Sequence, residues 1–135
     1  MMLTQIVVAA ALVNGAGQVL VQQRRAGAQH GGCWEFPGGK AEAGEPSAEA
    51  LVRELAEELG IAVECGALLP IGFSDILDGN GRQLLLLYRC DTWQGDVQCL
   101  DADAMMWIDP AHLGTLLMPP ADVPLIAALL RSLRA

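Results

Sequence analysis

The first 23 residues contain no charged side chain, and the turn-forming segment Asn14-Gly15-Ala16-Gly17-Gln18 interrupts them. A membrane-spanning helix needs about 20 unbroken apolar residues, so the interruption argues against one. A secretory signal needs a basic start, and the first basic residue is Arg24. Two strands joined by a tight turn satisfy both facts. Ile6–Val13 is apolar throughout, as expected of a strand covered on both faces, and Val19–Gln23 reads as its hairpin partner. The expectation is a soluble cytoplasmic protein.

The remaining chain alternates strands with two helices. Arg24–Cys33 is a polar loop, and Pro37-Gly38-Gly39 opens a second loop running to about Pro46. Ser47–Leu59 has helical periodicity, with Ser47 as expected N-cap and Gly60 as the stop. Further strands are expected near Ala67–Phe73, Gln83–Cys90 and Met105–Ile108. The segment Asp78-Gly79-Asn80-Gly81 has the chemistry of a hairpin turn. Pro124–Leu133 reads as a closing helix, with Arg131 and Arg134 at its negative end. The fold class is α/β: one domain over residues 1–135, with a mixed sheet between helical layers.

On a helical wheel advancing about 100° per residue, Glu54, Glu57 and Glu58 share one face. Leu51, Val52, Leu55, Ala56 and Leu59 form an apolar stripe opposite, and Arg53 stands four residues from both Glu49 and Glu57. An acidic helix face has two readings. It is either a solvated surface or a site for a hard divalent cation such as Mg²⁺, which prefers carboxylate oxygens.

The flanking residues decide between them. Gly39, Glu45 and the run Arg53-Glu54-Leu55-Ala56-Glu57-Glu58-Leu59-Gly60-Ile61 fill every specified position of G-x5-E-x7-R-E-U-x-E-E-x-G-U, where U is apolar. The segment resembles the Nudix box. The resemblance implies an α/β/α sandwich in which the box forms a loop, a helix and a loop. It also implies Mg²⁺- or Mn²⁺-dependent hydrolysis of a nucleoside diphosphate linked to another group. Glu54, Glu57, Glu58 and the carbonyl of Gly38 would hold the metal, with Arg53 and Glu45 orienting the carboxylates. The base would be a box glutamate or a residue from a separate loop.

Within that family the chain is similar to the MutT-type nucleoside triphosphate pyrophosphohydrolases, which release pyrophosphate and a monophosphate. The shared residues are Gln23-Arg24, Trp34-Glu35-Phe36-Pro37-Gly38-Gly39-Lys40 and Pro119-Pro120-Ala121-Asp122. The resemblance implies that Asp101, six residues before Trp107, is an additional catalytic carboxylate or metal ligand, with Asp103 as its near substitute. It likewise implies that Arg24, Glu35, Phe36, Gly39, Lys40 and Arg82 belong to the substrate site.

Asp122 occupies the position from which an asparagine reads the base in members acting on 8-oxo-dGTP. An ionised aspartate only accepts hydrogen bonds, which suits an exocyclic amine such as that of cytosine; guanine and 8-oxoguanine also present N–H donors, and a protonated aspartic acid imitates asparagine. A third role is to cap the closing helix. Pro120–Leu125 resembles the CTP and modified-dCTP branch. The implied activity is nucleotide-pool sanitation on an 8-oxo-dGTP or CTP/dCTP substrate. The alternatives are another Nudix substrate (ADP-ribose, a dinucleotide, an RNA 5′ end) or a non-catalytic recognition module.

Trp34, Trp93, Trp107 and Tyr88 are expected to pack, and His30 and His112 to be incidental. The four cysteines lack metal spacing and are expected to be free thiols filling the core. Sixteen acidic residues face eight basic ones, for a net charge of −8. That balance disfavours a nucleic-acid polymer as partner. Half of the net charge lies between Gly39 and Ile61, where a metal would invert the local sign for a small nucleotide.

Overall fold

A computed structural model describes residues 3–79 and 81–134. In chain order these form β1 (Leu3–Leu12), β2 (Val19–Gln23), β3 (Trp34–Glu35), β4 (Gly38–Lys40), α1 (Ser47–Leu59), β5 (Leu69–Asp78), β6 (Gly81–Cys90), β7 (Ala104–Ile108) and α2 (Leu125–Arg134). The strands make a four-stranded sheet, β4-β1-β6-β5, and a three-stranded one, β3-β2-β7. Only β1 and β6 run parallel, so the larger sheet is mixed.

β1 explains the layering. Its side chains alternate between faces: Val8, Ala10 and Leu12 pack with Leu51, Leu55 and Leu59 of α1. Ala9, Ala11 and Val13 pack with Leu125 and Leu129 of α2. The residues from Val8 to Leu12 are all buried, as the apolar run requires, and the alanines let both helices approach closely. The strand also starts earlier than expected, and its first half is exposed, with Val7 at the transition.

Several expectations fail for identifiable reasons. β2 is not the hairpin partner of β1. The two meet at the isolated bridge Val13↔Val19, while β4 and β6 occupy both edges of β1. The Pro37-Gly38-Gly39 turn does not open a free loop, because Gly38–Lys40 pairs antiparallel with Val7–Ala9. β5 starts at Leu69 because Cys65–Ala67 forms a 3₁₀ turn, and it runs past the expected end at Phe73 to Asp78 because it pairs with β6 as far as Gly81. As an edge strand, β5 tolerates the polar Ser74 and Asp75 that read as non-strand. Asp78 pairs with Gly81 as the expected turn requires, although Asn80 lies outside the described residues.

Helix α1 has the expected limits, and Gly60 closes it in the left-handed conformation at φ 69°. Ser47 is not its cap. Pro46 takes that position, and the Ser47 hydroxyl lies 2.5 Å from the Tyr88 hydroxyl on the sheet. Ala56 is exposed and the face is rotated so that Ala50 is buried instead. Trp93 and Trp107 stack on each other at 6.0 Å, the packing role expected of them. Cys33 and Cys90 are buried fillers, whereas Cys65 and Cys99 are exposed. No helix among the described residues is long and apolar enough to cross a membrane.

Candidate active site

The packing of α1 on β1 and β4 sets its acidic face against the Gly38-Gly39 turn. A Cβ at Gly38 would collide with the backbone of Val8, so only glycine lets β4 lie this close to β1. A Cβ at Gly39 would lie 2.5–2.7 Å from the Glu54 carboxylate. The two glycines therefore bring peptide backbone against acidic side chains, an arrangement the sequence pattern alone could not position in space.

Arg53 organises the exposed half of the cluster. Its Nε and Nη2 donate to the two oxygens of Glu45 at 2.9 and 3.0 Å. Its Nη1 donates to Glu54 at 3.1 Å and to Glu57 at 3.4 Å, and Nη2 also donates to the Lys40 carbonyl at 3.2 Å. One guanidinium thus spends its five N–H donors on three carboxylates and the loop. Glu49, expected as a partner from its spacing, is not among them. The hydrogen bonds from Arg53 hold the Glu45 carboxyl down to about 2.

Glu58 departs from the outward face drawn on the wheel: it is only 9% exposed. Its Oε2 accepts from the Gly38 N–H at 3.0 Å and its Oε1 from Gln22 Nε2 at 3.3 Å. Burial, joined by the charges of Glu54 and Glu35, pushes its carboxyl up to about 8. Burial also raises Glu54, against the pull of Arg53. Glu57 is 61% exposed in its side chain, so the three glutamates occupy three different environments on one helix.

Beside the Gly38–Lys40 strand opens a cavity of about 630 Å³. Its walls include Arg24, Glu35 and Phe36 on one side, Pro119–Asp122 on another, and the ends of β1 and β6 with Arg82. Arg24 donates to Glu35 at 2.8 Å and to the Gln29 carbonyl at 2.7 Å. Asp122 is 5% exposed, and its Oδ2 accepts from the Phe36 N–H at 3.2 Å. Burial, with the charge of Glu35, pushes its carboxyl up to about 7. Its side chain does not cap α2; the Leu125 N–H bonds to its backbone carbonyl instead.

Arg24, Glu35, Phe36, Gly38, Gly39, Lys40, Arg82 and Asp122 therefore share one cavity, and Glu54 and Glu58 reach its edge through the Gly38-Gly39 turn. Arg82 is paired with Asp75 on the sheet surface. Asp101 lies outside the cavity wall and is exposed, its carboxylate accepting from Arg25 at 3.3 Å. Its charge still registers at Glu54 and Glu58, while Asp103 accepts from the Ala26 N–H at 3.1 Å. His30 also lines the cavity, with a left-handed backbone at φ 56°.

Among the described residues, no three Asp, Glu, His or Cys side chains converge on one ligating point. The donor chemistry nevertheless fits a hard divalent cation. Carboxylates within two helical turns face a peptide strand, and Glu58 is desolvated among like charges. The buried Oε1 of Gln22 beside Glu58 has no hydrogen-bond partner among the described residues. Excess negative charge and an unsatisfied acceptor are what a hydrated cation would relieve.

Residues 3–129 match the NUDIX domain model. The chain belongs to the Nudix family. It is 44% identical over 134 residues to a Mycobacterium tuberculosis protein provisionally named 8-oxo-dGTP diphosphatase 2, covering 98% of this chain and 92% of that one. It is 36% identical over 129 residues to the CTP pyrophosphohydrolase of Escherichia coli, covering 95% and 93%. The solution structure of the E. coli ORF135 protein superimposes with a TM-score of 0.86 at 33% identity, covering 99% of this chain and 93% of that one. This Nudix protein is accordingly a hydrolase of acid anhydrides. Nudix hydrolases as a group use divalent cations and small nucleotide substrates.

Gln22 was not singled out from the sequence. Its signal is a polar residue continuing the buried run Val19-Leu20-Val21, and the neighbouring Gln23 makes that look like an ordinary strand end.

Proposed function

We propose that this Nudix hydrolase cleaves a nucleoside triphosphate to the monophosphate and pyrophosphate, with Mg²⁺ or Mn²⁺, acting on an 8-oxo-dGTP or CTP/dCTP substrate in one domain. The observation that carries the reading is the juxtaposition of the Glu54–Glu58 cluster with a cavity of nucleoside size ending at Asp122. Relatives named for both substrates support it.

The residues divide the work by position. Glu54, Glu57, Glu58 and the Gly38 carbonyl would hold the divalent cation, and Arg53 with Glu45 would fix the carboxylates that face it. When bound, the cation neutralises phosphate charge and acidifies water for in-line attack on phosphorus. Arg24 and Lys40 attract the anionic substrate from the cavity wall, and Arg82 does so from the sheet end. Glu35 holds Arg24 in place, and Phe36 supports the base from the cavity floor. Asp101 supplies a further carboxylate from its loop. A carboxylate of the box or Asp101 accepts the proton released on attack.

Asp122 reads the base edge. With a carboxyl raised to about 7, it is protonated below neutrality, offering donor and acceptor, and ionised above, offering acceptors alone. Cytosine and 8-oxoguanine each set N–H donors beside an acceptor but in different arrangements, so the preference between them should change as Asp122 gains or loses its proton. The deciding experiment is turnover of 8-oxo-dGTP, dGTP, CTP, dCTP, 5-methyl-dCTP and ADP-ribose with Mg²⁺ across about pH 6 to 8.5. The ratio of CTP to 8-oxo-dGTP turnover should change through about pH 7, and Asp122→Asn should flatten it. Absence of triphosphate cleavage refutes the activity, and a flat ratio in the wild type refutes base reading by Asp122.

Gly39→Ala tests the backbone contact. The added methyl must displace the Glu54 carboxylate, a side-chain movement that leaves the fold intact. Turnover should fall by about 10²-fold, the cost of a misplacement near 1 Å, while the melting temperature moves little. Undiminished turnover would show that Glu54 need not occupy this position.

A further inference from the structure

Gln22 is 2% exposed in the middle of the interior that α1 covers. Its cross-strand neighbours are Glu35 on β3 and Met105 on β7. Leu20, two residues earlier and on the same face, packs into the apolar cluster beneath α1. A leucine or methionine at 22 would continue that cluster. The chain instead buries an amide there, pairs its nitrogen with Glu58 Oε1 at 3.3 Å, and leaves its oxygen without a partner among the described residues. A buried acceptor left without a hydrogen bond is destabilising. Packing alone gives no return for that cost.

The geometry gives one. Glu58 is gripped from two sides: the Gly38 N–H donates to Oε2 at 3.0 Å, and the Gln22 amide donates to Oε1. Two donors on two oxygens fix both the position and the plane of the carboxylate. For the ionised form that a cation requires, the amide has only one satisfactory orientation. Turned over, it would set its oxygen against Glu58 Oε1, acceptor to acceptor. The orientation that serves Glu58 therefore holds Gln22 Oε1 as a fixed, unfilled acceptor beside the acidic cluster.

We propose that Gln22 is a positioning residue, which orients Glu58 through its amide nitrogen and accepts, through its free carbonyl oxygen, a hydrogen bond from water brought in by a hydrated divalent cation. The proposal rests on the reading above that Glu58 is a cation ligand. Glutamine suits both tasks because its amide carries donor and acceptor on one rigid plane. Methionine matches its length and fills the same volume, but supplies neither.

Three measurements test this on the full chain. In the wild type, Mg²⁺ added without nucleotide should shift the side-chain amide signals of Gln22 in a ¹⁵N–¹H correlation spectrum. Gln22→Met should bind Mn²⁺ about 10–100-fold more weakly, as read by the free-ion electron paramagnetic resonance signal. Its kcat at a fixed Mg²⁺ concentration should fall correspondingly while KM for the nucleotide changes less than threefold. Its melting temperature should change little, because one unsatisfied buried oxygen is removed while Glu58 Oε1 loses its donor. A purely structural role would move the melting temperature and leave Mn²⁺ affinity alone.

If Gln22→Met binds Mn²⁺ within twofold of the wild type, or the Gln22 amide signals ignore Mg²⁺, the proposal is overturned. If the wild type binds no Mn²⁺ at all, the cation reading of Glu58 falls, and the Gln22 proposal with it. Should Gln22→Met fail to fold, Gln22→Asn, which retains the amide but shortens its reach, replaces it and should show the same loss of Mn²⁺ affinity.

Discussion

Replacing Glu58 by glutamine should make the metal-free protein more stable at pH 8 and destroy its turnover. Burial raises the Glu58 carboxyl from 4.5 in the unfolded chain to about 8 in the folded one. Between those values the native state holds a proton that the unfolded state has lost, so stability falls as pH rises. The loss begins near pH 4.5 and is complete above about pH 8. Asp122, raised to about 7, adds a loss of the same sign that begins near 3.8. A tenfold change in proton affinity corresponds to about 1.4 kcal/mol, so ionising Glu58 in place costs on the order of a few kcal/mol.

Glutamine keeps the shape and carries no charge to desolvate. Thermal unfolding of Glu58→Gln without metal should therefore show a flatter pH profile and a melting temperature several degrees higher at pH 8. Addition of Mg²⁺ should raise the wild-type melting temperature, most at high pH, and leave the variant nearly unmoved. Removing a metal-bound carboxylate forfeits several kcal/mol of charge stabilisation, about a thousandfold in rate. Glu57→Gln, at an exposed site, should lose turnover without gaining stability. A wild type and Glu58→Gln pair with parallel pH–stability profiles would contradict the buried, strained carboxyl.

The second large effect is at Arg53. Arg53→Lys preserves the charge but cannot reproduce a planar fork bonded to Glu45, Glu54, Glu57 and the Lys40 carbonyl. An ammonium group has three donors against the five in use, and it cannot span Glu45 and Glu54 in one plane. Glu45 should lose its hold at about 2 and return toward the ordinary carboxylate range, a change that NMR titration of its carboxyl carbon reads directly. kcat/KM should fall by about 10–100-fold, and the melting temperature by a few degrees as the 40–45 loop is released. Turnover above half the wild-type value would show that charge alone, without the fork, suffices.

Much of this site was legible along the chain because it is local. Gly39, Glu45, Arg53, Glu54, Glu57 and Glu58 occupy fixed offsets around one helix, and helix geometry converts offsets into a shared region. The limits of α1 and the stop at Gly60 follow from the same local rules. Less legible was which carboxylates face inward. A wheel ranks directions about an axis but carries no record of what stands beside it. Glu58 is buried because β2 and the Gly38 strand end there, and Glu57, one residue away, is exposed because nothing packs over it.

Longer-range pairings escaped for a similar reason. Val19–Gln23 follows β1 through a tight turn, yet its partners are β3 and β7, since β1 already has β4 and β6 on its two edges. Arg53 selects Glu45 over the helical neighbour Glu49, because the loop returns Glu45 to the guanidinium. Asp101 accepts from Arg25, a contact across 76 residues that its distance from Trp107 does not reveal.

The sequence by itself determined the α/β class, the apolar strand that both helices cover, the box helix and its acidic composition. These depend on periodicity and spacing, which a linear chain carries. Tertiary structure alone decided that β2 and the Gly38 strand close over Glu58 and that Gln22 meets it there. Burial and charge coupling are properties of the surroundings in space, and they set the Glu58 carboxyl at about 8 and that of Asp122 at about 7.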